Sequence, residues 1–151
     1  MDDNLQLTDY VTFTTAEQIF GLPIARVQEV FRPTRITRVP LAGAQIAGVL
    51  NLRGRIVTAI DMRSRLGLPV REGDAAPMAI GIESRSESFG LLVDALGEVL
   101  RLSDGDIEAN PVNLDRKLAG VSAGVHRLDG QLLVVLDVDR VLDAGTEAAA
   151  A

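Results

Sequence analysis

Cysteine is absent from this chain, as is tryptophan, and lysine and histidine occur once each, as Lys117 and His126. Without cysteine there is no disulfide, no thiolate zinc site and no thiol nucleophile, which fits a reducing cytoplasm. A single histidine cannot build the usual catalytic zinc site, and no His-Glu-x-x-His is present. Lys117 has no glycine loop before it, so there is no Walker A pattern. Aromatics are scarce too, with four Phe and one Tyr. Barrels that bind single-stranded nucleic acid need aromatic platforms on a basic groove, and a sequence pI near 4.7 runs against that. No apolar run approaches the roughly 20 residues of a membrane span, so no direct membrane insertion is expected. The acidic start Met1-Asp2-Asp3-Asn4 is unlike the basic start of a signal peptide.

What the chain does have is a globular composition, 47% hydrophobic and 24% charged. Its net charge of −6 is unevenly spread. Residues 1–70 carry eight arginines against six acids, and residues 71–151 carry seven bases against fifteen acids. An Arg-rich, Lys-free half suits recognition of carboxylates on other proteins, although GC-rich coding accounts for the same bias.

The sequence also repeats itself. Phe20-Gly21-Leu22-Pro23-Ile24 returns as Phe89-Gly90-Leu91-Leu92-Val93, and Glu29-Val30-Phe31-Arg32 as Glu98-Val99-Leu100-Arg101, both 69 residues on. Gly48-Val49-Leu50, Arg53-Gly54-Arg55-Ile56 and Ile60-Asp61 return 76 residues on, as Gly124-Val125-His126, Asp129-Gly130-Gln131-Leu132 and Leu136-Asp137. Alternating strands resemble one another cheaply, but alternation does not fix Phe-Gly, Glu-Val, Gly and Asp at matching spacings. A duplication with a longer second loop is the better account.

Each copy reads as strands. Residues 10–14 and 18–24 form one hairpin pattern, and 78–83 and 88–93 repeat it. Asp129-Gly130, between the runs 122–128 and 131–136, predicts a tight turn with positive φ angles, and Arg53-Gly54 is its equivalent; Gly54 and Gly130 are the turn glycines. Asp61 and Asp137 are natural caps for short helices whose apolar stripes are Met62/Leu66 and Val138/Leu142. Gly67 and Pro69 end the first of these. The prediction is a mainly β protein of two similar small barrels with short helices. Lobe 1 covers about 8–66, with C-terminal elements able to join it. A connection spans 67–77, lobe 2 covers about 78–143, and a tail spans 144–151.

No catalytic constellation stands out. The acidic run Asp104-Gly105-Asp106-Ile107-Glu108 lacks the ordered spacing of a calcium loop, and His126 falls where Leu50 sits in the other copy, so it is expected to be buried and hydrogen-bonded. No catalytic residue, metal or cofactor is therefore predicted. Attention moves to polar residues that packing does not require. In Leu50-Asn51-Leu52-Arg53 the leucines alternate inward, leaving Asn51 and Arg53 outward beside a turn. Glu29 and Glu98 occupy equivalent places, but Arg53 is matched by Asp129. Only the first copy can pair these positions as a salt bridge, Glu29 with Arg53. An exposed pair of that kind is worth about 0–1 kcal/mol, too little to matter for folding, so surface shaping is its better explanation. Val27, Val30 and Phe31 lie beside it as apolar contact area or as core.

These residues resemble a known family. Residues 48–63 (GVLNLRGRIVTAIDMR) are similar to the signature of CheW-like domains, and residues 27–30 (VQEV) and 90–100 (GLLVDALGEVL) to its two other characteristic segments. The resemblance spans about residues 8–143. It implies two intertwined five-stranded SH3-like barrels and a non-catalytic adaptor. Such proteins join the cytoplasmic tips of methyl-accepting chemoreceptors to the regulatory domain of the histidine kinase CheA, in the cytoplasm at membrane receptor arrays. On that resemblance Val27, Glu29, Val30, Asn51 and Arg53 are receptor- or kinase-binding residues. The Arg/Ala-rich segment 31–44 departs from the family pattern and bears on partner choice. Two alternatives remain: an adaptor for another chemosensory output such as twitching motility, and a two-barrel module or enzyme for a small acidic ligand.

Overall fold

A computed structural model describes residues 6–69 and 76–142. Ten strands follow one another as β1 (Leu7–Thr15), β2 (Gln18–Pro23), β3 (Val27–Phe31), β4 (Ile46–Leu52), β5 (Arg55–Asp61), β6 (Met78–Ser84), β7 (Glu87–Val93), β8 (Ala95–Ser103), β9 (Ser122–Leu128) and β10 (Gln131–Leu136). Short helices are α1 (Met62–Arg65), α2 (Arg116–Ala119) and α3, residues 138–142. Asp61 caps α1, its carboxylate accepting the Arg63 N–H at 3.0 Å, and Asp137 accepts the Arg140 N–H of α3 at 3.3 Å. The four-residue α2 has no counterpart among the sequence expectations; Asp115 caps it by accepting the Lys117 N–H at 2.9 Å. The tail 144–151, and residues 70–75 of the expected connection, lie outside the described residues.

The strands form two five-stranded sheets, ordered β8-β1-β2-β10-β9 and β3-β6-β7-β5-β4. Replacing each strand by its repeat partner, β1 by β6 through to β5 by β10, turns one order into the other. The duplication therefore survives in three dimensions. The repeat runs along the halves 8–66 and 78–143, whereas the sheets are assembled by exchange between them. Each half lends its first hairpin to the other half's last three strands. The lent hairpins dock through parallel pairs, β2 on β10 and β5 on β7.

Each sheet curls back on itself. After edge strand β3 the chain reaches Thr37, which exchanges backbone hydrogen bonds of 2.8 Å with Val49 on the opposite edge strand β4. After β8 it reaches Glu108, which does the same with Val125 of β9 at 2.8 and 2.9 Å. That closeness requires glycine at the neighbouring positions. A Cβ on Gly48 would lie 2.3 Å from the Thr37 carbonyl oxygen, and one on Gly124 would lie 2.7 Å from Ile107 Cγ2, while both residues have positive φ (151° and 143°).

A shared apolar cluster lies between the sheets, built from Phe13, Phe20 and Leu22 on one side and Ile60, Ile80 and Leu91 on the other, with Met62, Leu66, Val138 and Val141 from the helices. The Phe13 and Phe20 rings stack with centroids 5.3 Å apart. Each sheet also has a smaller cluster of its own, one around Leu50, Val57 and Leu92 and the other around Tyr10, Leu133 and Val135. Arg65 ties α1 to α3 by donating to the Val141 and Arg140 carbonyls at 3.1 and 3.0 Å, and burial pulls its pKa down from the ordinary value.

Candidate functional site

Edge strand β3 alternates, but not evenly. Its register against β6 slips between Val27 and Glu29, so Gln28 is an extra residue in a bulge. The bulge leaves Val27 partly buried against the shared core, Val30 exposed and Phe31 tucked into the smaller cluster of its own sheet. Glu29 leans over Gly81, where a Cβ would come within 3.3 Å of the Glu29 Cγ and carbonyl oxygen. Gly81 thus supplies the room in which Glu29 is placed. The alternation of the β6 pattern gives no hint of this role, because it appears only once β3 pairs there.

The β4–β5 hairpin brings the other half of the site. Arg53 and Gly54 both have positive φ, 53° and 85°, the signature of a type I′ turn. In the equivalent Asp129-Gly130 turn only Gly130, at 78°, has positive φ, so the expectation of two positive angles there is corrected: the hairpin forms with one. Asn51 and Arg53 both face outward. The Asn51 side-chain Oδ1 accepts the Gly54 N–H at 2.9 Å and so closes the turn. One lone pair of Oδ1 is thereby used, and the Asn51 NH2 group makes no hydrogen bond of its own among the described residues, so its two donors stay exposed.

Arg53 Nη2 contacts both carboxylate oxygens of Glu29. The Arg53 side chain is 69% exposed and that of Glu29 25%, so the acid is half-sheltered and the guanidinium stands in solvent. Alongside, Glu83 Oε2 accepts from Gln28 Nε2 at 3.3 Å and lies 3.9 Å from Arg55 Nη1. The result is a polar seam joining β3, β6 and the hairpin tip. In the other sheet the equivalent acids, Glu98 and Asp129, form no ion pair among the described residues.

Two open depressions flank the sheets in equivalent places. One, of about 520 Å³, is lined by Thr34, Arg35, Thr37, Val49, Asn51 and Ile56 beside the hairpin. The other, of about 420 Å³, is lined by Gly105, Asp106, Glu108, His126 and Arg127. His126 is half-buried, and its Nδ1 is shielded with no hydrogen-bond partner among the described residues, contrary to the expected hydrogen-bonded core histidine. Among the described residues no cluster of His, Asp and Glu could hold a metal ion, and no helix is long and apolar enough to cross a membrane.

An outward Asn, a tethered but exposed Arg, a sheltered Glu and an exposed Val thus share one rim. Comparison with known proteins places the chain as a whole. The sequence profile of the CheW-like domain family matches residues 9–145. The chain is 30% identical to the chemotaxis protein CheW of Rhizobium meliloti, over 94% of this chain and 92% of that one. It is 27% identical to CheW of Thermotoga maritima, over 93% and 91%. The crystal structure of the scaffolding protein TtCheW from Thermoanaerobacter tengcongensis superposes with a TM-score of 0.79 at 30% identity, covering 91% of this chain and 89% of that one. Together with the two intertwined five-stranded sheets, these matches establish that the chain belongs to the CheW-like domain family.

Proposed function

We propose that this protein is an adaptor of bacterial chemotaxis that holds the cytoplasmic tip of a methyl-accepting chemoreceptor and the regulatory domain of the kinase CheA together, and makes or breaks no bonds itself. The observation that carries the reading is the Glu29–Arg53 pair. It sits in one sheet only, its guanidinium stands in solvent at 69% exposure, and it is worth about 0–1 kcal/mol to folding. Its place at the hairpin tip, with Val30 exposed and Val27 at the edge of the core, makes it a surface feature with little structural value. Val27, Glu29, Val30, Asn51 and Arg53 form the partner-binding rim. Relatives over nearly the whole chain carry the name chemotaxis protein CheW, which supports the same assignment.

Affinity for any one partner is modest, because the rim is small. Repetition in an array of receptors converts modest contacts into stable recruitment to the membrane, by raising effective concentration. Co-sedimentation of the protein with a receptor cytoplasmic fragment and the cognate kinase tests this. Wild type enters the pellet with both, whereas Arg53→Ala and Glu29→Arg remain folded and enter it less. Equal assembly by both variants and wild type removes these residues from the site.

A further inference from the structure

The segment 32–45 between β3 and β4 carries Arg32, Arg35 and Arg38, all exposed. None of the three forms an ion pair or hydrogen bond with a side chain among the described residues. Every other arginine of β3 through α1 has a partner: Arg53 has Glu29, Arg55 has Glu83, Arg63 has Asp94, and Arg65 has the carbonyls of α3. Arg35 lines the larger depression, whose floor is the outward face of the β4–β5 hairpin. That floor includes Ile56, which leaves 64% of its surface exposed.

The duplication supplies an internal control. Thr37 and Glu108 make the same bridge, to Val49 and Val125, which are themselves repeat partners. Counting two residues back from each sets Arg35 against Asp106. The equivalent depression therefore has an acid, Asp106, where this one has a base, and its other wall charges, Glu108 and Arg127, pair with each other at 2.9 Å. The fold does not require a base at Arg35, because the same architecture accepts an acid there. A floor of aliphatic surface beside unpaired guanidinium groups fits an amphipathic partner segment that carries carboxylates, since guanidinium forks read carboxylates directionally.

We propose that this depression is a second docking site, for a carboxylate-bearing amphipathic segment of a partner protein, with Arg35 reading a carboxylate at its centre and Arg32 and Arg38 attracting the segment from the same loop. The proposal rests on the adaptor reading and extends it to a surface that meets the Glu29–Arg53 rim only at Asn51. Attraction by the flanking arginines acts chiefly on the rate of encounter and weakens as salt rises.

The test uses the full chain with a photo-crosslinking residue, Ile56→p-benzoylphenylalanine and, separately, Thr34→p-benzoylphenylalanine, assembled with receptor cytoplasmic fragment and kinase. Thermal melts establish that each variant is folded. The expected result is a crosslink to an Asp/Glu-rich segment of one partner, mapped by mass spectrometry. Its yield falls about tenfold when Arg35→Glu is added, in line with the cost of opposing like charges in an interface. Failure of the unmodified protein to assemble with receptor and kinase overturns the adaptor reading and this site with it. Normal assembly without a crosslink from either position overturns the site alone. So does a crosslink to a second copy of this chain, a crosslink to a segment without carboxylates, or a yield that Arg35→Glu leaves unchanged.

Discussion

Arg63 on α1 and Asp94 at the end of β7 form a two-point ion pair, Nη2 to Oδ2 at 2.6 Å and Nε to Oδ1 at 3.1 Å. Asp94 lies where the chain leaves one sheet for the other. Its Oδ2 also accepts the Ala16 N–H at 2.8 Å, and its own N–H donates to the Thr14 carbonyl at 3.0 Å. The pair thus pins the β1–β2 turn of one sheet to the helix that follows β5 of the other. On the repeat-equivalent side Arg26, beside the crossing from β2 to β3, faces Asp139 of α3 at 3.5 Å, with the signs reversed and far more exposure.

The Arg63 and Asp94 side chains are only 17% and 20% exposed. Asp94→Ala leaves a half-buried guanidinium and the Ala16 N–H without this acceptor, and is expected to cost about 2–4 kcal/mol. Asp139→Ala is expected to cost under about 1 kcal/mol, because Asp139 itself is 64% exposed and its contact with Arg26 is long. Urea unfolding of the two variants checks the order. Equal losses contradict the role assigned to burial.

The glycines at the bridges give a second ordered pair. Gly48→Ala drives a Cβ to 2.3 Å from the Thr37 carbonyl oxygen, whereas on Gly124 the equivalent backbone contact, with the Glu108 carbonyl oxygen, is 2.9 Å. Both also force alanine to positive φ. Each is expected to destabilise by about 2–4 kcal/mol, with Gly48→Ala the worse of the two. Thermal melts of the purified variants decide the order.

These positions mark where sequence reading succeeds and where it stops. Gly48 and Gly124, Asp61 and Asp137, and the turns at Arg53-Gly54 and Asp129-Gly130 fall at matching offsets, so the repeat and its hairpins are visible in one dimension. The Glu29–Arg53 contact is visible too, because one copy keeps opposite charges where the other has two acids. The exchange of hairpins between halves is not legible from periodicity. It depends on the parallel pairs Leu133–Ile19 and Ile60–Leu91, which join strands far apart in the chain and leave no local pattern. Gly81 looks like an ordinary strand glycine until the bulge in β3 lays Glu29 across it. Helix α2 has only four residues, too few to show a stripe.

Titration gives a third prediction. The hydrogen bond from Arg101 holds the Asp9 carboxyl below its ordinary value of 3.8. A depressed carboxylate contributes stability that is present above about pH 4 and fades as pH falls through its folded value. Asp9 is therefore expected to titrate below 3.8 in a carbonyl NMR titration, and to move up towards it in Arg101→Gln. Added salt is expected to move it the same way, because the pair is open to solvent. An Asp9 midpoint that ignores both changes removes Arg101 as the cause.

The Glu29–Arg53 pair allows folding and recognition to be separated by exchanging its members. Glu29→Arg alone sets two arginines together, and Arg53→Glu alone two acids; each is expected to cost under about 1 kcal/mol in urea unfolding, because Arg53 is 69% exposed. The double exchange restores opposite charges and is expected to restore that small loss. A partner, however, meets the exposed end of the pair, which is now an acid where a guanidinium stood. If the rim is read by receptor or kinase, the exchanged protein is as stable as wild type but still fails to co-sediment normally. If the pair serves only to brace the hairpin against β3, stability and assembly return together, and Arg53 is then a strut rather than a contact.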